Sequence, residues 1–131
     1  MNQSEVSRWF GDYLAAFSAC GRGERETATL LGYYGVPLLV TTDDGVMVQT
    51  SDDQVVGMLQ RQVDGMRAAG YTHTALVDSD VTVLNSTSAL YRGTFSRQRG
   101  DGAEIARVAA TYLVTDGPVG RRVSALLVHS R

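Results

Sequence analysis

The chain carries few side chains able to do acid–base, nucleophilic or metal chemistry. Its two histidines, His73 and His129, are far apart in sequence, and Cys20 is its single cysteine. His129 lies near the end of the last strand-like run and shares the apolar parity of Val123, Ala125 and Leu127. A histidine there serves either as a hydrogen-bond donor or base, or as a half-buried side chain satisfied by a backbone carbonyl. His73 opens a long strand-like run and reads as exposed or structural; it pairs with Asp78 or Asp80 only if that strand bends. Cys20 reads as a small buried hydrophobe. One cysteine and two distant histidines form no recognisable ligand set, so no metal and no cofactor is expected. The glycines are scattered over turns and helix ends, and none builds a phosphate-binding loop at a helix start.

The positive charge is more informative. All 12 basic residues are arginine, and Arg92, Arg97, Arg99 and Arg107 crowd one hairpin. A guanidinium cannot readily be neutralised by burial, so any of these that faces an interior needs an acid or a ligand beside it. Arg92, mid-strand between Leu90 and Thr94, is the sharpest candidate. Facing inward, it is an anchor for a carboxylate or phosphate. The alternatives are that it faces outward, or that it pairs with an acidic neighbour such as Glu104 or Asp116. Arg107 is the mirror case: it points inward if the register shifts by one residue, and Tyr91 and Phe95 then replace Leu90 and Thr94. The net charge of -2 argues against sequence-independent phosphate binding, so no nucleic-acid partner is expected.

These residues are positioned by elements that the periodicity predicts. Residues 4 to 20 form an amphipathic helix with Val6, Trp9, Phe10, Tyr13, Leu14 and Phe17 on its apolar side. Asn2 and Glu5 loosely fit a capping box at its start, and Gly21 and Gly23 stop it. A shorter helix is expected from about Glu24 to Tyr34. Val36 to Thr42 and Val46 to Thr50 read as a hairpin around Asp43-Asp44-Gly45. Ser51 and Gln54 make a capping box for a third helix, to about Ala69, with Val55, Val56, Leu59, Val63 and Met66 as its stripe. Four strands follow, Tyr71 to Leu84, Ser88 to Arg99, Ala103 to Thr115 and Arg121 to Ser130, joined by turns. The 131 residues make one domain, 1–131. Helices grouped before a long meander imply α+β architecture, with three helices packed on one face of a curved, mostly antiparallel sheet. The partly apolar outer face of that sheet favours a homodimer. No apolar run approaches the roughly 20 residues that span a bilayer, and the N-terminus has no signal-peptide character. A cytoplasmic protein with no membrane partner is expected.

This order of elements resembles the cone-shaped α+β superfamily of nuclear transport factor two, the SnoaL polyketide cyclases and the ketosteroid isomerases, with a cystatin-like barrel. The likeness spans essentially the whole chain and looks closest to bacterial members. Its local carriers are Tyr13-Leu14-Ala15-Ala16-Phe17 in the first helix and the hairpin Phe95 to Gly102. Two more are Tyr112-Leu113-Val114-Thr115 and the closing Leu127-Val128-His129-Ser130. Where many members have a Trp before the Arg of the last strand, this chain has Arg121 before Arg122.

The resemblance implies a conical apolar pocket for a small apolar or weakly acidic molecule. An isomerase of this fold uses a first-helix Tyr, matched by Tyr13, and two carboxyl groups. The matching positions, around Leu39 to Thr41 and Val108 to Thr111, hold no acid, so such chemistry is not expected. With Ala110 inward, Val108, Tyr112 and Val114 face the cone too. Pairing across the Gly100-Asp101-Gly102 turn then brings in Leu90, Arg92 and Thr94, and leaves Arg97 and Arg107 outside. The expected pocket is lined by Trp9, Tyr13, Phe17, Tyr34, Leu90, Arg92, Val108, Tyr112 and His129. A small-molecule-binding domain is the leading reading. The alternatives are a cyclase, isomerase or dehydratase using Tyr13 and His129, and a pocketless dimerisation or interaction module.

Overall fold

A computed structural model of the chain describes residues 1–130. Two side-chain caps start the long helices. Asn2 Oδ1 accepts from the Glu5 amide at 2.9 Å, and α1 runs Gln3–Gly21. Ser51 Oγ accepts from the Gln54 amide at 3.2 Å, and α2 runs Asp52–Ala68. The Gln54 side chain reaches back one residue further than a capping box requires, to the Thr50 amide at 2.7 Å.

The expected helix from Glu24 to Tyr34 is corrected to a single 3-10 helix, Thr27–Gly32. Two β-branched threonines and a glycine make this segment a poor α-helix. Tyr34 belongs instead to the first strand, where it pairs with Val123.

The strands are β1 (Tyr34–Thr42), β2 (Gly45–Gln49), β3 (Tyr71–Asn85), β4 (Ser88–Arg99), β5 (Glu104–Gly117) and β6 (Gly120–Val128). They form one sheet in the order β2-β1-β6-β5-β4-β3. β1 runs parallel to β6, and the other pairs are antiparallel. The molecule is α+β, with three helices packed against a curved, mixed six-stranded sheet.

Two one-residue bulges decide which side chains face the helices. Gln98 pairs with Glu104 but Arg97 with Ala106, so Ile105 is the extra residue. Before this bulge the tight turn sets the register; beyond it every β4 residue is displaced by one. Tyr91 therefore lies opposite Tyr112 and Phe95 opposite Val108, and directly opposed residues share a face. Likewise Val114 pairs with Val123 but Leu113 with Ala125, making Ser124 the extra residue on β6. Val123 faces the core, whereas Ala125 and Leu127 point to the outer face.

The core is aromatic. Phe10, fully buried, stacks on Tyr91 with centroids 3.7 Å apart. It meets Tyr112 edge-on at 4.7 Å and Tyr13 at 5.2 Å. Gly93 makes room for the Phe95 ring, since a Cβ at Gly93 would sit 2.5 Å from Phe95 Cζ. Gly93→Ala is expected to destabilise the protein by about 1–3 kcal/mol through overpacking. A denaturation midpoint equal to that of the parent would show that the ring yields freely.

Candidate functional site

Between α1 and the inner face of the sheet lies a cavity of about 30 Å³, lined by Tyr13, Leu14, Phe17, Thr74, Phe95, Arg97, Val108 and Tyr112. That volume is about the share of one water molecule in the liquid. The open conical pocket implied by the resemblance is thus largely occupied by the aromatic core.

Of the expected lining residues, Tyr13, Phe17, Val108 and Tyr112 reach this cavity. Tyr34 is buried beside it, its hydroxyl 2.5 Å from that of Tyr13. Trp9 does not reach it. The core stripe of α1 is Val6, Phe10, Tyr13, Phe17 and Cys20, and Trp9, one residue from Phe10, is turned aside onto Tyr33 at 5.5 Å.

Three further placements are corrected. Leu90 and Arg92 lie on the outer face, because the Ile105 bulge shifts β4 by one residue and puts Tyr91, Gly93 and Phe95 inside. Arg92 is exposed, directly opposite Asp80 of β3. His129 is exposed beyond the end of β6, its Nε2 hydrogen-bonded to Thr111 Oγ1 at 2.7 Å on the outer face. The Ser124 bulge inverts the parity that would have carried it inward. Tyr13 and His129 therefore stand on opposite sides of the sheet and cannot act on one substrate. Arg107 is also exposed and paired with Glu104.

Arg97, expected outside, is the arginine that faces the cone. Its guanidinium lies 5.5 Å from the Phe17 ring centroid, and its Nη2 donates to Gln62 Oε1 at 2.9 Å. Among the described residues it has no carboxylate partner within salt-bridge distance. A readable signal existed: Tyr91, Gly93 and Phe95 alternate as aromatic, glycine, aromatic, the pattern of a face packed closely on other rings.

Apart from Arg97, the polar groups lining the cavity are the hydroxyls of Tyr13, Thr74 and Tyr112. Burial raises Tyr13 well above the ordinary tyrosine value, reinforced by Tyr34. Burial does the same to Tyr34 and Tyr112, reinforced by Tyr112 and Tyr13 respectively. All three phenols are held neutral, and the charge of Arg97 opposes each shift. Among the described residues, no carboxylate or imidazole is buried, and no group of three or more His, Cys, Asp or Glu side chains is placed to hold a metal. Cys20 is fully buried, and burial pushes its thiol up.

Tyr34→Phe is expected to cost about 1–3 kcal/mol by leaving the Tyr13 hydroxyl buried without a partner. Replacing both tyrosines by Phe should cost less than the two single changes added together. A double-mutant cycle in denaturant tests this, and simple additivity would contradict the coupling.

The model of the family described as NTF2-like protein (DUF6841) matches residues 4–131. This chain belongs to that NTF2-like family. The element order read as a cone-shaped superfamily therefore corresponds to the family shown. No curated protein matches the chain. Solved structures share the NTF2-like fold. A domain of unknown function with a cystatin-like fold from Nostoc punctiforme is 18% identical, with a TM-score of 0.73 over 100% of this chain and 80% of its own. An NTF2-like protein of unknown function from Shewanella oneidensis is 13% identical, with a TM-score of 0.67 over 95% of this chain and 99% of its own. Aln2 from a Streptomyces species is 11% identical, with a TM-score of 0.69 over 96% of this chain and 88% of its own. At these identities the likeness concerns the fold alone. No helix among the described residues is long and apolar enough to cross a membrane.

Proposed function

We infer that this NTF2-like domain binds a small, mostly apolar molecule inside the cone and is not an acid–base catalyst. The observation that carries the reading is the interior cavity walled by aromatic and aliphatic side chains, with the half-exposed Arg97 on its lining against Phe17. The Arg97 side chain is held by one cation–π contact and one hydrogen bond to a neutral amide, together worth about 2–4 kcal/mol. Displacing it would enlarge the cavity at that cost. The walls, Leu14, Phe17, Phe95 and Val108, suit an apolar body, and the neutral hydroxyls of Tyr13 and Tyr112 suit a hydrogen-bonding group at its deep end. Mass spectrometry of the protein under native conditions tests this. A retained small molecule, released when Val108→Trp fills the cavity, is the expected result. A protein that carries nothing and whose thermal stability is unmoved by apolar small molecules would overturn it.

A second reading, self-association, rests on the outer face. The register aligns Val48, Leu39, Ala125, Leu113 and Leu90 in one apolar row across five strands. A second copy of the chain is the proposed occupant of this row, as a homodimer in the cytoplasm. Light scattering at micromolar concentration should give twice the chain mass, and Leu113→Arg should return it to the monomer. The monomer mass for the parent protein would remove this reading.

A further inference from the structure

The proposed pocket leaves one charge unexplained. Among the described residues, eight arginines make a hydrogen bond or ion pair, and most of these lie away from the cavity. Arg22, Arg107 and Arg121 pair with carboxylates. Arg67 and Arg99 hold backbone carbonyls at the ends of the long helices. Arg97 alone lines the cavity. It is only half exposed, and what it has found there is a neutral amide and an aromatic face. A guanidinium offers five N–H donors in a planar fork that matches an oxyanion, and it keeps its charge in any surroundings. Of these donors, one on Nη2 meets a side-chain acceptor, Gln62 Oε1. Thr74 lines the same cavity, its hydroxyl 2.7 Å from that of Tyr71.

We propose that Arg97 is the anion anchor of this pocket, and that the molecule bound there is a small apolar acid. Its oxyanion end sits at the mouth on the Arg97 fork, and its apolar body points inward between Phe17 and Val108. The proposal rests on the reading that the cone admits a small molecule, and adds the chemical class of that molecule. A carboxylate and a phosphate would be held by the same fork.

Three probes of nearly equal size separate the possibilities: benzoate, phenyl phosphate and the neutral benzamide, titrated into the full chain and followed by nuclear magnetic resonance. Benzoate or phenyl phosphate should bind at least about tenfold more tightly than benzamide, as a hydrogen bond to a charged group implies. Shifts should centre on Phe17, Val108 and the Arg97 Nε–H. Arg97→Met should bring the ratio of acid to amide close to one while the protein stays folded by its amide spectrum, and Arg97→Lys should restore part of it. The tighter of the two acids names the anionic group. Benzamide binding as well as the acids, or a ratio that survives Arg97→Met, overturns the anchor while leaving the pocket standing. Binding of none of the three, or shifts centred on Arg107 and His129, overturns the pocket and the anchor together.

Discussion

Raising the pH above about 10, the ordinary tyrosine pKa, should unfold this protein steeply. Tyr13, Tyr34 and Tyr112 are all buried, and burial lifts each phenol well above its ordinary value. In the unfolded chain the same groups ionise near pH 10, so above that pH the unfolded state has lost protons that the folded state keeps. The stability contributed by the neutral buried phenols is complete below about pH 10 and falls as the pH rises. Each group costs about 1.4 kcal/mol per pH unit, and three together about 4 kcal/mol per unit. Against a net stability on the order of 5–15 kcal/mol, the transition falls between about pH 11 and 14. Circular dichroism against pH should show one cooperative loss of structure, with tyrosinate absorbance rising in the same step. The variant with both Tyr13→Phe and Tyr34→Phe should lose stability about one third as steeply, through Tyr112. All six tyrosines titrating while the circular dichroism stays native would show that water reaches Tyr13, Tyr34 and Tyr112, and would contradict the closed interior.

Phe10→Ala should be the most damaging truncation in the helices. Phe10 is fully buried and touches Tyr91, Tyr112, Tyr13 and Phe95 with ring centroids between 3.7 and 6.2 Å. Removing a buried phenyl ring costs about 3–5 kcal/mol, from the lost transfer of the ring out of water and from the hollow it leaves. For a domain of this size that is roughly 10–20 °C in melting temperature. Phe10→Leu retains most of the volume and should cost under about 1.5 kcal/mol. Calorimetry of the two variants gives both values. A Phe10→Ala loss no greater than that of Phe10→Leu would show that the four rings close over the gap, and that Phe10 is not the hub of the core.

Both expectations arise from residues whose place in the chain was legible. Tyr13 and Phe10 fall on the apolar stripe of a helix capped by Asn2, and α2 begins at the Ser51 cap, because caps and helical stripes depend on neighbours within one turn. The four closing strands and the α+β arrangement were likewise visible in local alternation and turn residues. The Glu24 to Tyr34 segment was misread as a full helix because its apolar spacing suits either form, and Tyr34 is recruited by a strand far away in sequence.

The candidate site was less legible. Tyr13, Phe17, Val108 and Tyr112 stand where helix stripe and strand parity put them, while Leu90, Arg92 and His129 do not. The difference lies with Ile105 and Ser124. A strand turns alternate side chains to opposite faces, so one extra residue inverts everything beyond it. The alternation of Tyr91, Gly93 and Phe95 marks the face of β4 that packs on rings, but it does not mark Ile105 or Ser124 as the extra residues, which are set by the pairing across the completed sheet. By itself, then, the sequence determined the two long helices, the four closing strands, the α+β architecture and an arginine-rich hairpin with one guanidinium to be accounted for. Only the tertiary structure decided that this guanidinium is that of Arg97, because which face a strand residue takes is a property of pairing between distant segments and not of the segment itself.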